Sequence, residues 1–187
     1  HNGMWDLSLL GLVPGLRLAA PRDEERLCQA LRLAVTVDDA PTVLRYSKEA
    51  LPEPIPTFDA RGSVDLLFTG PDAPAGSAPE GSRVLVVGWG SSYGPISAAA
   101  RRVRLSGRPV ATVHLRHMNP LPSDLGDILR SYDRVIVPEM NLGQLAFILR
   151  AKYLVDCESY SRVRGLPISL SELAEDLIAI IDGKDGR

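Results

Sequence analysis

Pro138-Glu139-Met140-Asn141-Leu142-Gly143-Gln144 sets a carboxylate and an amide two residues apart where an apolar strand meets the start of a helix. Glu139 and Asn141 there are either exposed at the mouth of a sheet's ligand-binding edge or spent on capping the helix and on an interdomain contact. Gly88-Trp89-Gly90 also follows an apolar strand and precedes a helix, a context in which glycines let backbone approach a phosphate. Its spacing does not fit the dinucleotide fingerprint. The next glycine, Gly94, comes four residues on instead of three, and no acidic residue ends the following strand. The turn is therefore expected to be a tight one, with Ser91 or Ser92 capping the helix. His114 and His117 flank Arg116 at a strand end, but an odd separation points them to opposite faces, and no Cys or acidic cluster lies nearby to complete a metal shell. In the front of the chain, His1, Arg45 and Lys48 are the polar residues suited to an anion or a hydroxyl. A lone basic residue at a strand end is usually solvated.

The elements that must hold these groups fall into two unlike stretches. Met4 to Leu10 suits a short helix ended by Pro14-Gly15, and Leu16 to Ala20 a short buried strand. Asp23 is a good N-cap for a helix running to about Thr36, with Leu27, Ala30, Leu31 and Ala34 as a buried stripe. Asp38 to Pro41 forms a turn, and Thr42 to Tyr46 favours a strand. Between Ser47 and Ser82 prolines and glycines dominate, so that stretch reads as a linker with one short strand at Val64 to Phe68. From Val84 onward strands and helices alternate: strands at 84–87, 110–115, 134–137 and 154–158, helices at 95–105, 124–131, 142–152 and 170–181. Short, wholly apolar strands in βα alternation predict an α/β fold with a mostly parallel sheet covered by helices on both faces.

Composition bounds the chemistry. The 187 residues are 45% hydrophobic and 24% charged, ordinary for a globular chain. A formal net charge of -2 creates no large single-sign field, which argues against nucleic acid or an anionic membrane as partner. No apolar run approaches the roughly 18 residues of a bilayer span, and a cytoplasmic setting is expected. Cys28 and Cys157 sit in apolar stretches and read as reduced core thiols, and no cysteine cluster for an iron-sulfur centre exists. A first residue that is His, not Met, suggests a natural start further upstream.

Two resemblances follow from particular strings. His1-Asn2-Gly3-Met4-Trp5-Asp6-Leu7-Ser8, Val13-Pro14-Gly15, Ala20-Pro21-Arg22-Asp23 and Ala40-Pro41-Thr42-Val43-Leu44-Arg45-Tyr46 make residues 1 to about 70 resemble the second half of the pyrimidine-binding domain of 1-deoxy-D-xylulose-5-phosphate synthase, a transketolase relative. Gly88-Trp89-Gly90-Ser91-Ser92-Tyr93-Gly94-Pro95, His114 to Pro120, Glu139 to Leu145 and Arg164-Gly165-Leu166-Pro167 make residues 84–187 similar to the C-terminal domain of the 2-oxoglutarate (2-oxoacid):ferredoxin oxidoreductase alpha subunit. The implied layout is residues 1–48 as the C-terminal half of a pyrimidine-binding domain, 49–83 as linker and 84–187 as a transketolase C-terminal-like domain. Both families place such a domain after their pyrimidine domain, so the junction falls at an equivalent point in each.

The resemblances imply thiamine diphosphate and magnesium in the complete enzyme, and decarboxylation of a 2-oxoacid. The acceptor is glyceraldehyde 3-phosphate if the front governs, or coenzyme A with ferredoxin if the back does. His1 is implied as a catalytic residue lying against substrate, and Lys48 as a ligand of the acceptor's phosphate. Where the synthase family commonly has Arg-Gly, this chain has Lys48-Glu49; lysine serves a phosphate as a point charge without the bidentate fork, and Glu49 would repel it. The glutamate that activates the cofactor and the domain that binds magnesium diphosphate lie upstream or on another subunit in these families. The chain is therefore expected to be a fragment or fusion, inactive alone, in a homo- or hetero-oligomer. The alternatives are a non-catalytic assembly module, shaping a site mouth through Glu139 and Asn141, and an artefactual join of two genes.

Overall fold

The computed structural model describes residues 5–47, 60–61, 64–66 and 80–185. The front contributes α1 (Asp6–Leu10), β1 (Arg17–Ala19), α2 (Glu24–Ala34) and β2 (Thr42–Leu44). Two short strands follow, β3 (Ala60–Arg61) and β4 (Val64–Leu66). The back carries β5 (Val84–Trp89), α3 (Tyr93–Leu105), β6 (Ala111–Leu115), β7 (His117–Asn119), α4 (Leu125–Arg130), β8 (Arg134–Glu139), α5 (Gln144–Tyr153), β9 (Cys157–Ser161) and α6 (Leu170–Ile181). The expected α/β architecture is the one observed.

The larger sheet has the order β3-β4-β6-β5-β8-β9, with β6, β5, β8 and β9 parallel and β4 antiparallel to β6. Strand periodicity sorts its side chains between two apolar layers. Val84, Val86 and Ile136 pack with Ile96, Val103, Leu173 and Leu177 of α3 and α6. Leu85, Val87, Val135 and Val137 face the other way, onto Leu125, Leu129, Leu145 and Leu149 of α4 and α5. At Gly88 a Cβ would stand 2.8 Å from Ile96 Cδ1, so any larger residue there would have to push that side chain aside.

The front is built onto the second of these layers. Leu7, Leu16, Leu18 and Ala20 belong to the same cluster as Leu85 and Leu145. The chain leaves β6 through Arg116 and β7 then runs antiparallel to β1, completing a three-stranded sheet of order β2-β1-β7. Asn119 Nδ2 donates to the Leu16 carbonyl at this seam. The two stretches that differ so much in sequence thus share a sheet and a core.

Three expectations are corrected. None of α2 is buried, and Leu31 in the anticipated core stripe is 53% exposed, because the front sheet beneath the helix is small and does not fill the space under it. Cys28, on that helix, is exposed instead of a core thiol; Cys157 is buried, and both are free. The last strand is Cys157–Ser161, later than its apolar residues suggested, because Leu154 turns into the left-handed region (φ 55°) to end α5.

Candidate functional site

The sheet's order reverses between β5 and β8: β5 continues through α3 to β6 on one side, and β8 through α5 to β9 on the other. Open α/β sheets form a crevice outside the carboxyl ends of the strands at such a switch point. Here β5 and β8 pair only as far as Val86 and Ile136. Beyond that they diverge toward Trp89 and Glu139, and Pro138 has no N–H with which to extend a ladder. The resulting cavity of about 100 Å³ is lined by Trp89, Ser91 and Ser92 on one bank and by Glu139 and Asn141 on the other, with Arg45 of the front segment over it.

The bank after β5 is a helical turn over Gly90–Ser92, entered through Gly90 at φ 52°. Ser92 Oγ accepts from the Trp89 N–H at 3.0 Å and donates to the Trp89 carbonyl at 2.8 Å. The turn is tight as expected, but the expected serine cap of the helix is not made: Ser92 spends its hydroxyl on Trp89 and caps no N–H of α3.

On the opposite bank Glu139 and Asn141 turn inward, and both are buried. Asn141 Oδ1 accepts from the N–H groups of Gly143 (2.8 Å) and Gln144 (3.1 Å). Glu139 accepts from Leu145 (3.0 Å) and Ala146 (3.1 Å). Asn141 Nδ2 also donates to Glu139 at 3.0 Å. The N–H groups that open a helix have no partner within it, and these two side chains satisfy them while placing negative charge at the positive end of the dipole. Burial pushes the Glu139 carboxyl above its ordinary range, against the opposing pull of the Leu145 and Ala146 amides. Gly143 must be glycine: its φ is 86°, and a Cβ would fall 2.4 Å from Ser159 Oγ. The helix end that would otherwise attract an anionic ligand already holds one.

Arg45 closes the crevice from the front. Its guanidinium lies 4.8 Å from the Trp89 ring centroid and pairs with Asp6 at 2.9 Å. It is therefore a bridge from front to back, not a lone solvated cation.

The two histidines part company. His114 is buried on β6, with Nε2 3.1 Å from the Gly90 carbonyl and its ring edge-on to Tyr93. Burial lowers its pKa to about 3, and Arg22 and Arg116 push the same way. His117 is half-buried on β7 in the other sheet, beside a second, larger cavity under α2. Among the described residues no group of three or more His, Cys, Asp or Glu could hold a metal ion.

A polar cluster that the sequence did not flag joins front to back beside His114. Arg22 and Asp23 are both buried and pair at 3.3 Å, Arg22 stacks 5.5 Å from the Tyr93 ring, and Arg116 is near enough to perturb His114. Asp23 also caps α2, accepting from the Arg26 N–H at 2.8 Å. The available signal was an Arg-Asp pair directly after an apolar strand, where solvated charges are not expected.

His1 and Lys48 lie outside the described residues. The described residues do not fit a magnesium-bound diphosphate: no acidic cluster exists among them, and the buried carboxylates of Asp23 and Glu139 are spent on helix caps. No helix among the described residues is long and apolar enough to cross a membrane.

Residues 1–54 match the family model of the transketolase pyrimidine binding domain. The chain is 48% identical over 113 residues to the 2-oxoglutarate oxidoreductase subunit KorA of Mycobacterium tuberculosis, a match covering 60% of this chain and 17% of KorA. It is 41% identical over 143 residues to the 1-deoxy-D-xylulose-5-phosphate synthase of Mycolicibacterium vanbaalenii, covering 76% of this chain and 22% of the synthase. With the Mycobacterium leprae synthase the match is 36% identical over 186 residues and covers 95% of this chain, so the likeness to that enzyme runs on through the back half. The chain thus spans between 17% and 28% of the length of these relatives. Among solved structures it shares its fold with the 2-oxoglutarate:ferredoxin oxidoreductase of Magnetococcus marinus, with a TM-score of 0.67 at 18% identity over 94% of this chain and 45% of that one. It shares it also with a split-gene transketolase described as an inactive beta4 tetramer, with a TM-score of 0.68 at 17% identity over 98% of this chain and 62% of that one. Both enzyme kinds named in the sequence comparison are relatives, and the fold is that of transketolase-like domains.

Proposed function

We propose that this chain is one module of a thiamine-diphosphate-dependent enzyme that decarboxylates a 2-oxoacid, and that it has no turnover by itself. Homology to the synthase and to KorA supports the enzyme class. The observation that carries the inactivity is the use of Glu139 and Asn141: these two buried side chains at the sheet's ligand edge are consumed by α5 and are not free to hold cofactor or metal. A fold relative described as an inactive tetramer is consistent with this.

In this reading residues 1–48 are part of a pyrimidine-binding domain, 49–83 connect, and 84–187 form the C-terminal domain. Thiamine diphosphate and magnesium have their seat on polypeptide beyond the described residues, in a cytoplasmic homo- or hetero-oligomer. His1 lies against substrate, and Lys48 meets the acceptor's phosphate if that acceptor is glyceraldehyde 3-phosphate. With coenzyme A as acceptor, ferredoxin takes the electrons.

A second reading, a non-catalytic assembly module, is favoured by the same inward turn, since Glu139 and Asn141 then serve only to stiffen the crevice. One experiment separates them. The purified chain is incubated with pyruvate or 2-oxoglutarate, thiamine diphosphate and Mg²⁺, first alone and then with a partner carrying the magnesium-binding domain, and carbon dioxide is measured. No release alone and release with the partner is expected. Release by the chain alone overturns the proposal, and a stable complex without release selects the assembly reading.

A further inference from the structure

At Arg45 three separate pieces of the chain meet. The residue follows directly on β2, and its backbone N–H donates to the Ala19 carbonyl at 2.9 Å, which carries the pairing of β2 with β1 just past the strand. Its guanidinium lies 4.8 Å from the ring centroid of Trp89, at the end of β5, and pairs at 2.9 Å with Asp6, the first residue of α1. The hold is not mainly a source of stability. The side chains of Arg45 and Asp6 are 34% and 33% exposed, where an ion pair contributes little to folding and salt screens it. Trp89, by contrast, is buried in the apolar cluster of the larger sheet, and its ring presents a negative face to the cation. Arg45 thus refers the end of β2 and the start of α1 to a packed core residue of the back half. Each of those two ends leads along the chain to a proposed substrate residue. Lys48 follows Arg45 by three positions, and His1 precedes Asp6 by five. Three residues of backbone reach no further than about 11 Å, so the chain that delivers Lys48 sets out from where Arg45 is held.

We propose that Arg45 is a positioning residue for the acceptor's phosphate: stacked on Trp89 and paired with Asp6, it fixes the exit of β2, and through it Lys48, relative to α1 and the larger sheet. The inference rests on the reading in which Lys48 meets the phosphate of glyceraldehyde 3-phosphate. A lysine needs such help more than an arginine does, because its ammonium is a point charge on a flexible stem with no fork to set its own geometry. Misplacing a binding group by about 1 Å costs on the order of a hundredfold in rate, far more than a half-exposed ion pair contributes to folding. Arg45 acts through Lys48 and not on the ligand, since its own charge is engaged by the Asp6 carboxylate.

The test uses the full chain assembled with a partner that carries the magnesium-binding domain. KM and kcat are measured for the condensation of pyruvate with glyceraldehyde 3-phosphate and, separately, with unphosphorylated D-glyceraldehyde. Arg45→Gln is expected to raise KM for the phosphorylated acceptor about tenfold or more, while kcat and the KM for D-glyceraldehyde stay within about twofold. Asp6→Asn and Trp89→Leu each remove one of the two holds and should do the same in smaller measure; Arg45→Lys keeps both and should restore most of the affinity. In a Lys48→Ala background Arg45→Gln should add little, because the two residues then act through one missing group. Equal losses with both acceptors would make Arg45 a merely structural residue and overturn the proposal, as would an unchanged KM. A full further loss on top of Lys48→Ala would mean that Arg45 meets the phosphate itself, which also overturns it. Carbon dioxide release only with coenzyme A and ferredoxin overturns the positioning role and leaves the enzyme class intact, whereas no release with any acceptor sinks the proposed function and the positioning role with it.

Discussion

The side-chain amide of Asn141 donates to the Glu139 carboxylate at 3.0 Å, and together the two residues take the N–H groups of Gly143, Gln144, Leu145 and Ala146. Removing either leaves buried donors without partners, which costs about 1–3 kcal/mol per group. Asn141→Ala and Glu139→Leu, each orphaning two donors, are each expected to destabilise the chain by about 2–6 kcal/mol in urea denaturation. Because the residues are in contact, their effects should couple, with an interaction energy of about 0.5 kcal/mol or more in a double-mutant cycle. Losses below that level would show that water reaches this helix end and replaces the caps.

Leu18 and Leu85 belong to one apolar cluster although they lie on opposite sides of the Pro/Gly-rich stretch. The front and back should therefore unfold together. Leu18→Ala, at a position only 3% exposed, is expected to cost about 2–5 kcal/mol and to lower the midpoint of the whole chain in one transition. Trp5 and Trp89 report on the two parts by fluorescence, in variants that keep one tryptophan at a time. Separate midpoints for the two reporters would refute a shared core.

Where the physics was local, the sequence sufficed. The run Val84 to Val87 is apolar at every position and bounded by glycine, so β5 and its place inside a parallel sheet could be read directly. Asp23 was legible as an N-cap because capping needs only one oxygen within three residues. Glu139 and Asn141 were located but their direction was not, since a ligand-binding mouth and a helix cap use the same residue types at the same strand end. β7 escaped notice because three residues, His117 to Asn119, carry no periodicity, and they pair across a hundred positions with β1. The stripe on α2 was visible, but whether anything covers it depends on how many strands lie beneath, which no helix encodes.

His114 gives the stability a pH dependence of known sign. Its pKa is about 3 folded and 6.5 in an unhindered chain, so between those values the unfolded state binds a proton that the folded state does not. Stability is thus present in full above about pH 6.5 and is lost as the pH falls, by up to about 1.4 kcal/mol per pH unit. His117, whose pKa burial also lowers, adds in the same direction. Carboxylates whose pKa values ion pairs depress, such as Glu172 beside Arg162 and Arg164, lose their contribution only at lower pH. Urea titrations of the chain and of His114→Asn between pH 5 and 6.5 should show the steeper slope in the unaltered protein. Parallel slopes would mean that His114 accepts its proton while folded.

Leu154 ends α5 in the left-handed region at φ 55° and is 90% exposed, so its side chain packs against little that could offset the strain. A left-handed conformation costs an L-residue about 1–2 kcal/mol, and glycine avoids most of that at a helix C-terminus. Glycine also raises the entropy of the unfolded chain, by about 0.5–1 kcal/mol. The balance predicts that Leu154→Gly stabilises the protein by about 0.5–1 kcal/mol, seen as a higher urea midpoint with an unchanged slope. Leu154→Asn, which tolerates the same backbone with a side chain, should capture part of the gain. A destabilised Leu154→Gly would show that the exposed leucine makes a stabilising contact in solution, and sedimentation of the two proteins would then reveal whether another molecule provides it.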